Sequence, residues 1–145
     1  MAWEDLMHFA VLPNYDEQTE VLRRAIQTIA NSGIAKKHIA LVLAMEAREA
    51  GSEAKAQKLM GEFKDKFRSV FATYHPPGIP GEVAGKSANT KWAAEKVIEE
   101  FIPQLGVDPN NCILTVGDAD SDFHSEYFAG LSYFFLNAGG AEGET

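Results

Sequence analysis

The chain has 145 residues, of which 46% are hydrophobic and 10% aromatic, enough for one domain with its own core. Its 13 basic and 21 acidic side chains give a formal charge of −8, which excludes a protein that attracts nucleic acid by charge. No basic signal segment and no membrane-length apolar run is visible, so we expect a soluble globular protein.

The first half of the chain alternates apolar runs of strand length with amphipathic runs of helix length. The strands are predicted at 6–12, 38–45 and 69–74, and the helices at 17–31 and 52–67. Asp16 and Ser52 are the expected helix caps. The third strand is more polar than the others, which favours a place at the edge of the sheet.

The second half begins with a loop at 75–85 that is rich in proline and glycine, a composition typical of functional loops. A helix is predicted at 86–105, with its last turn broken or kinked at Pro103. A buried fourth strand follows from Cys112, whose thiol we expect to be structural. Ser121 or Asp122 is the expected cap of a last helix that reaches Phe135.

This order of elements predicts an α/β domain at residues 1–138 and a disordered tail at 139–145. We expect a mostly parallel sheet with helices on both faces and the strand order 3-2-1-4. The order reverses between strands 1 and 4, and ligands of open α/β sheets bind at such a point, beyond the carboxyl ends of the strands.

Carboxylates follow the fourth strand at alternate positions. Asp118 and Asp120 offer the hard oxygen ligands that Mg²⁺ or Mn²⁺ takes when it also binds phosphate. A calcium loop is excluded, because Phe123 and Ala129 stand where glycine and glutamate are required. The run also resembles the nucleophile strand of haloacid-dehalogenase phosphatases, but too little chain follows it to supply their downstream elements.

Four short motifs occur in a fixed order along the chain. They are P-x-Y-x-E at 13–17, Glu46 after the second strand, G-K-x-x-N at 85–89, and D-x-D at 118–120. Together they resemble the nucleotide-binding half of a family 2 glycosyltransferase, and the similarity extends over residues 7–137. The resemblance implies a three-layer, Rossmann-like GT-A half-domain. Glu46 departs from the family, which usually has aspartate at this position.

The resemblance implies that the chain binds a nucleotide-diphosphate sugar, and we expect a UDP-sugar. Pro13 and Tyr15 are expected to shape the nucleobase pocket, and Glu46 to bond the uracil edge or the ribose. Lys86 and Asn89 are expected to approach the donor.

The metal assignment also comes from the resemblance. Asp118 is expected to contact ribose or sugar and to share Mn²⁺ or Mg²⁺ with Asp120, the main metal ligand, which would stabilise the diphosphate as leaving group. The family's acceptor site and catalytic base lie in a second half, so we expect donor binding without complete transfer. The acceptor is unknown, and the family allows a membrane-bound parent protein.

Simpler interpretations remain open. The aspartates could cap a helix, Tyr15 could be a partly buried aromatic with no ligand, and Lys86 and Arg48 could be solvated surface charges. None of the four histidines is nominated as catalytic. The alternative function is a non-catalytic nucleotide-binding or interaction module with the same half-sheet.

Overall fold

The computed structural model describes residues 3–137, and the tail expected at 139–145 lies outside the described residues. Its centre is a four-stranded sheet in which every pairing is parallel. The strands are β1 (Met7–Pro13), β2 (Ile39–Glu46), β3 (Ser69–His75) and β4 (Cys112–Val116). Their order is β3-β2-β1-β4, which confirms the predicted α/β class and topology.

Six α-helices accompany the sheet in residues 3–137. They are α1 (Thr19–Ala30), α2 (Ala35–His38), α3 (Ser52–Phe63), α4 (Lys86–Lys96), α5 (Ile102–Leu105) and α6 (Tyr127–Asn137). A π-helical turn at Val97–Phe101 joins α4 to α5, and short 3₁₀ turns lie at Trp3–Asp5 and Pro109–Asn111. No helix in this part of the chain is both long and apolar enough to cross a membrane.

The core has two layers because alternate residues of a strand point to opposite faces of the sheet. Leu12 and Leu41 point to the face covered by α1, α3 and α6, together with Phe128. Phe9 and Val42 point to the opposite face, under α4 and the segment that follows it. All residues of β1 and β2 are buried, as expected for central parallel strands.

The π-helical turn ends two residues before Pro103, which has no N–H for the preceding turn of an α-helix. The wider turn accommodates the proline without breaking the helix. It also changes which residues face the sheet. Ile98 within this turn is 64% exposed, whereas Phe101 and Ile102 are buried.

Both predicted caps in the first half are wrong. Asp16 has a left-handed backbone (φ 58°) and its N–H donates to Oε1 of Glu49 at 2.7 Å. Helix α1 begins only at Thr19, with no side-chain cap. Ser52 is the first residue of α3, and Gly51 precedes it at φ 81°, a conformation that glycine adopts at little cost.

The predicted cap of the last helix is also wrong. The chain does not become helical after Asp122, because Phe123 packs against the core and its N–H donates to Oγ1 of Thr28 at 3.1 Å. This contact holds the chain in a loop across the end of the sheet. Helix α6 therefore begins at Tyr127.

Strand β4 is an edge strand and is less buried than the sequence predicts. Helix α4 packs over β1, β2 and β3, and on the same face of β4 Leu114 and Val116 are each 40% exposed. Cys112 is half-buried rather than fully buried. Burial and the nearby charge of Asp108 raise the pKa of its thiol to about 11.

His8 is a fully buried polar residue on β1, beneath α6. Its Nε2 lies 2.6 Å from Oγ of Ser132, whose hydroxyl lies 3.0 Å from the carbonyl oxygen of Phe128. The hydroxyl donates to that carbonyl, so the histidine nitrogen carries the proton that the hydroxyl accepts. Burial and the positive charge of His38 lower the pKa of His8 to about 4, and the imidazole is neutral in the folded protein.

This buried imidazole predicts a loss of stability in acid. The unfolded chain takes up a proton at His8 below about pH 6.5, whereas the folded chain does so only near pH 4. The free energy of unfolding should therefore fall by about 3 kcal/mol from this residue alone between those pH values. Urea denaturation across this range measures the loss.

Replacing both polar partners tests the assignment, because neither is then left unpaired. The double variant His8→Leu/Ser132→Ala should lose about 3 kcal/mol less than the parent between pH 6.5 and pH 4. His124→Gln, at an exposed position, should follow the parent. Equal losses in the double variant and the parent would contradict the prediction.

Candidate functional site

A cavity of about 390 Å³ lies where β1, β2 and β4 end and α4 begins. This size falls within the roughly 300–1,000 Å³ of small-molecule sites. It is lined by Pro13, Asn14, Tyr15, Glu17, Glu46, Arg48, Gly85, Lys86, Asn89, Asp118, Ala119 and Asp120. All the residues that the sequence nominates as donor or metal ligands are therefore brought together, and their individual roles stay predictions.

The carbonyl oxygen of Ala44 ties three parts of the cavity wall together. It accepts the backbone N–H of Asn14 at 3.0 Å and Nδ2 of Asn89 at 2.8 Å. Asn89 is 1% exposed, and its Oδ1 makes no hydrogen bond within residues 3–137. The asparagine thus fixes the first turn of α4 to the end of β2, and it lines the cavity from this position.

Two glycines allow the backbone conformations that bring Lys86, Asp118 and Asp120 to the cavity. Gly85 has φ 154° and ψ −175°, a region available essentially to glycine alone, and it turns the chain into α4 directly before Lys86. A Cβ atom at Gly117 would lie 2.8 Å from Cζ of Phe123. Gly117 therefore allows the close packing of the loop that carries Asp118 and Asp120.

Lys86 and Asp118 form an ion pair across the mouth of the cavity, and both side chains are more than half exposed. The backbone N–H of Asp118 also donates to Oγ of Ser121 at 2.7 Å, which fixes the start of the acidic turn. An exposed pair of this kind contributes only about 0–1 kcal/mol. Lys86 can therefore exchange Asp118 for another anionic partner at little cost.

The acidic groups of the cavity suit a divalent cation shared with a ligand. In residues 3–137, no group of three or more His, Cys, Asp and Glu side chains could hold a metal ion unaided. Asp118 and Asp120 line one cavity, however, and Mg²⁺-type ions are held by one or two carboxylates while phosphate oxygens and water complete the shell. These two carboxylates fit a metal ion whose other ligands are phosphate oxygens and water.

The charge balance of the cavity supports the same fit. Its lining contains the carboxylates of Glu17, Glu46, Asp118 and Asp120, against the cations Arg48 and Lys86. A diphosphate alone would meet a net negative wall. A divalent cation would remove most of that repulsion.

Arg48 also lines the cavity, at a position where the sequence alone favours a solvated surface charge. Its Cζ lies 3.9 Å above the ring centroid of Tyr15, and its Nε lies 3.9 Å from Oε1 of Glu46. The stack joins the turn after β1 to the turn after β2. The signal was available: both residues follow the carboxyl ends of strands that were predicted to be neighbours.

Behind Glu46 lies a second set of groups that the sequence did not indicate. Glu46 and His75 are both 2% exposed, and they are paired across β2 and β3. Nδ1 of His75 lies 2.7 Å from Oε1 of Glu46, and Nε2 lies 2.6 Å from Oε1 of Glu82 in the loop after β3. Burial lowers the pKa of His75, but the bonds to Glu46 and Glu82 outweigh it and raise that pKa.

Comparison with known proteins gives little further information. No protein-family profile matches the chain, and no solved structure matches it. It is similar to a segment of the chaperone protein HtpG of Streptomyces coelicolor, with 30% identity over 115 residues. The match covers 77% of this chain but 16% of the chaperone. Because so little of the chaperone is matched, the similarity does not assign the chain to a family.

The position of Asn89 predicts a structural effect that is separate from ligand binding. Asn89→Ala removes the bond to the carbonyl of Ala44 and should lower the free energy of unfolding by about 1–2 kcal/mol. Lys91→Ala, at an exposed position of the same helix, should stay within about 0.5 kcal/mol of the parent. Chemical denaturation compares the three proteins, and equal stability of all three would refute the bracing role.

Proposed function

We propose that the chain is the donor-binding domain of a metal-dependent glycosyltransferase that uses a nucleotide-diphosphate sugar, most simply a UDP-sugar. One observation carries the proposal. Four motifs that are dispersed from Pro13 to Asp120 line a single cavity beyond the carboxyl ends of the strands. This is where open α/β sheets bind nucleotides.

The end of the cavity near β2 suits the nucleoside. Tyr15, stacked with Arg48, offers a flat surface for a base, and Glu46 offers a carboxylate to a donor on the base or ribose. Glu46 is longer by one methylene than the aspartate usual in family 2 glycosyltransferases. The side chain of Glu46 is buried and hydrogen-bonded to His75. The position of its carboxylate is therefore fixed by this contact, in spite of the extra methylene.

The opposite end suits the diphosphate and its metal. Asp120 is an exposed carboxylate on the cavity wall, and Asp118 is paired with the exchangeable Lys86. A bound Mn²⁺ or Mg²⁺ would neutralise the diphosphate and stabilise it as leaving group when an acceptor hydroxyl attacks the anomeric carbon. Lys86, released from Asp118, would then lie beside the phosphates as a second cation.

We assign no catalytic base for sugar transfer to this cavity. Asp118, Asp120 and Glu46 are assigned to the donor and its metal, and transfer also requires an acceptor site. We propose that the acceptor site and the base come from residues outside the described segment. Transfer by this chain alone would overturn that part of the proposal and leave donor binding intact.

A second candidate is a non-catalytic nucleotide-binding or interaction module within a larger protein. The similarity to part of a chaperone favours it, because there the matched segment is one portion of a long chain. Nucleotide binding is common to both candidates. Transfer of sugar, once an acceptor domain is supplied, belongs only to the first.

Calorimetric titration with UDP tests the metal-diphosphate assignment. UDP should bind at least tenfold more tightly with Mn²⁺ than with EDTA, because the metal removes the repulsion from the carboxylates. Asp120→Asn should abolish most of the gain from Mn²⁺. Asp122→Asn makes the same change of charge in the same loop but does not alter the cavity lining, and it should behave like the parent.

The outcomes separate the parts of the proposal. If UDP binds equally well with and without Mn²⁺, or if Asp120→Asn keeps the metal dependence, the metal site is wrong. If UDP does not bind under either condition, the nucleotide site is wrong. UDP-glucose and UDP-N-acetylglucosamine, titrated in the same way, then show whether the sugar adds affinity.

A further inference from the structure

The buried ring of His75 touches a carboxylate at each of its two nitrogens, at 2.7 Å and 2.6 Å. A carboxylate oxygen and an unprotonated ring nitrogen both present lone pairs and cannot approach this closely. Each contact therefore needs a proton between the two heavy atoms. Three groups thus hold two protons, and the arrangement that keeps both carboxylates ionised is an imidazolium between two anions.

We propose that His75 is a positioning residue that, as an imidazolium, fixes Glu46 as an acceptor-only carboxylate in the cavity and ties it through Glu82 to the loop at 76–85. Glu82 does not line the cavity. Its side chain is connected to Glu46 through the ring of His75. The ligand group that meets Glu46 must then donate a hydrogen bond, as the imide N–H of uracil or a ribose hydroxyl does.

The surroundings of His75 agree with this assignment. Glu46 comes from β2 and Glu82 from the loop after β3, and on the far side of Glu46 lies Arg48, with Nε 3.9 Å from the carboxylate. From α4 the uncharged ring of Trp92 packs edge-on, 6.0 Å between centroids, and Lys96 lies over that indole at 4.7 Å. The groups in direct contact with the imidazole are anionic or neutral.

The assignment makes the site sensitive to pH in one direction. When pH rises through the titration of His75, one proton leaves and one of the two short contacts becomes repulsive. Glu46 then loses its fixed position or the loop loses its anchor at Glu82. Ligand binding at Glu46 should weaken as the pH rises, by about tenfold if one charge-assisted hydrogen bond is lost.

Nuclear magnetic resonance of the ligand-free protein gives the first test. Proton–nitrogen spectra of the imidazoles distinguish a doubly protonated ring from either neutral tautomer, and His75→Gln assigns the signal. His75 should be doubly protonated at pH 7, because each of its ring nitrogens lies within hydrogen-bond distance of a carboxylate. A neutral His75 ring at pH 7 would overturn the proposal.

Two variants identify the cause. Glu82→Gln keeps an acceptor but removes one negative charge, so the titration of His75 should move down by about one pH unit or more. Glu95→Gln, at an exposed position of α4, should leave it unchanged. If Glu82→Gln also leaves the titration unchanged, the imidazolium is not held as we propose.

Binding of UDP with Mn²⁺, measured at pH values below and above the titration of His75 that the resonance spectra give, is the functional readout and rests on the proposed function. The parent should lose about tenfold more affinity across this range than His75→Gln does, and the titration of UDP itself is common to both. Parallel profiles would overturn the positioning role. Absence of UDP binding would refute the proposed function, whereas the resonance experiment would still decide the state of His75.

Discussion

The carbonyl oxygen of Ala44 is the point on which the walls of the cavity depend. It stands where β2 nears its end and accepts three donors: the backbone N–H and Nδ2 of Asn14, in the turn after β1, and Nδ2 of Asn89, in the first turn of α4. Both of its lone pairs are then used, so this buried carbonyl is fully satisfied. The three segments that carry Tyr15, Glu46 and Lys86 are thereby held by one peptide group, and their spacing follows from the sheet itself.

The charged residues of the cavity form two groups, one exposed and one buried, and they differ in how much free energy is needed to rearrange them. The pair of Lys86 and Asp118 lies in solvent at the mouth, contributes little to stability, and is free to change partners. Glu46, His75 and Glu82 lie at the base with the histidine fully enclosed, and removing His75 would take a short hydrogen bond from the buried carboxylate of Glu46. A ligand can therefore displace the exposed side chains of Lys86 and Asp118, whereas Glu46 and His75 stay in place.

The strand order and the residues that line the cavity could be predicted from the sequence. Both follow from where apolar runs begin and end along the chain, and from the acidic residues that come directly after a strand. The errors lie where local and tertiary contacts compete. Asp122 looks like a cap, but the packing of Phe123 against the core decides where α6 begins. His75 looks isolated, since only the register of β2 against β3 places it beside Glu46. Such a pairing depends on which residues of two strands stand opposite each other, and no pattern within either strand encodes it.

The single cysteine has a practical consequence. With a thiol pKa near 11, only about one molecule in ten thousand carries the Cys112 thiolate at pH 7. Alkylating reagents that attack thiolates will leave it largely untouched. A cysteine introduced at an exposed position, such as Val83 beside Glu82, would then be labelled selectively. The native chain is thus already suited to fluorescence measurements of the loop at 76–85.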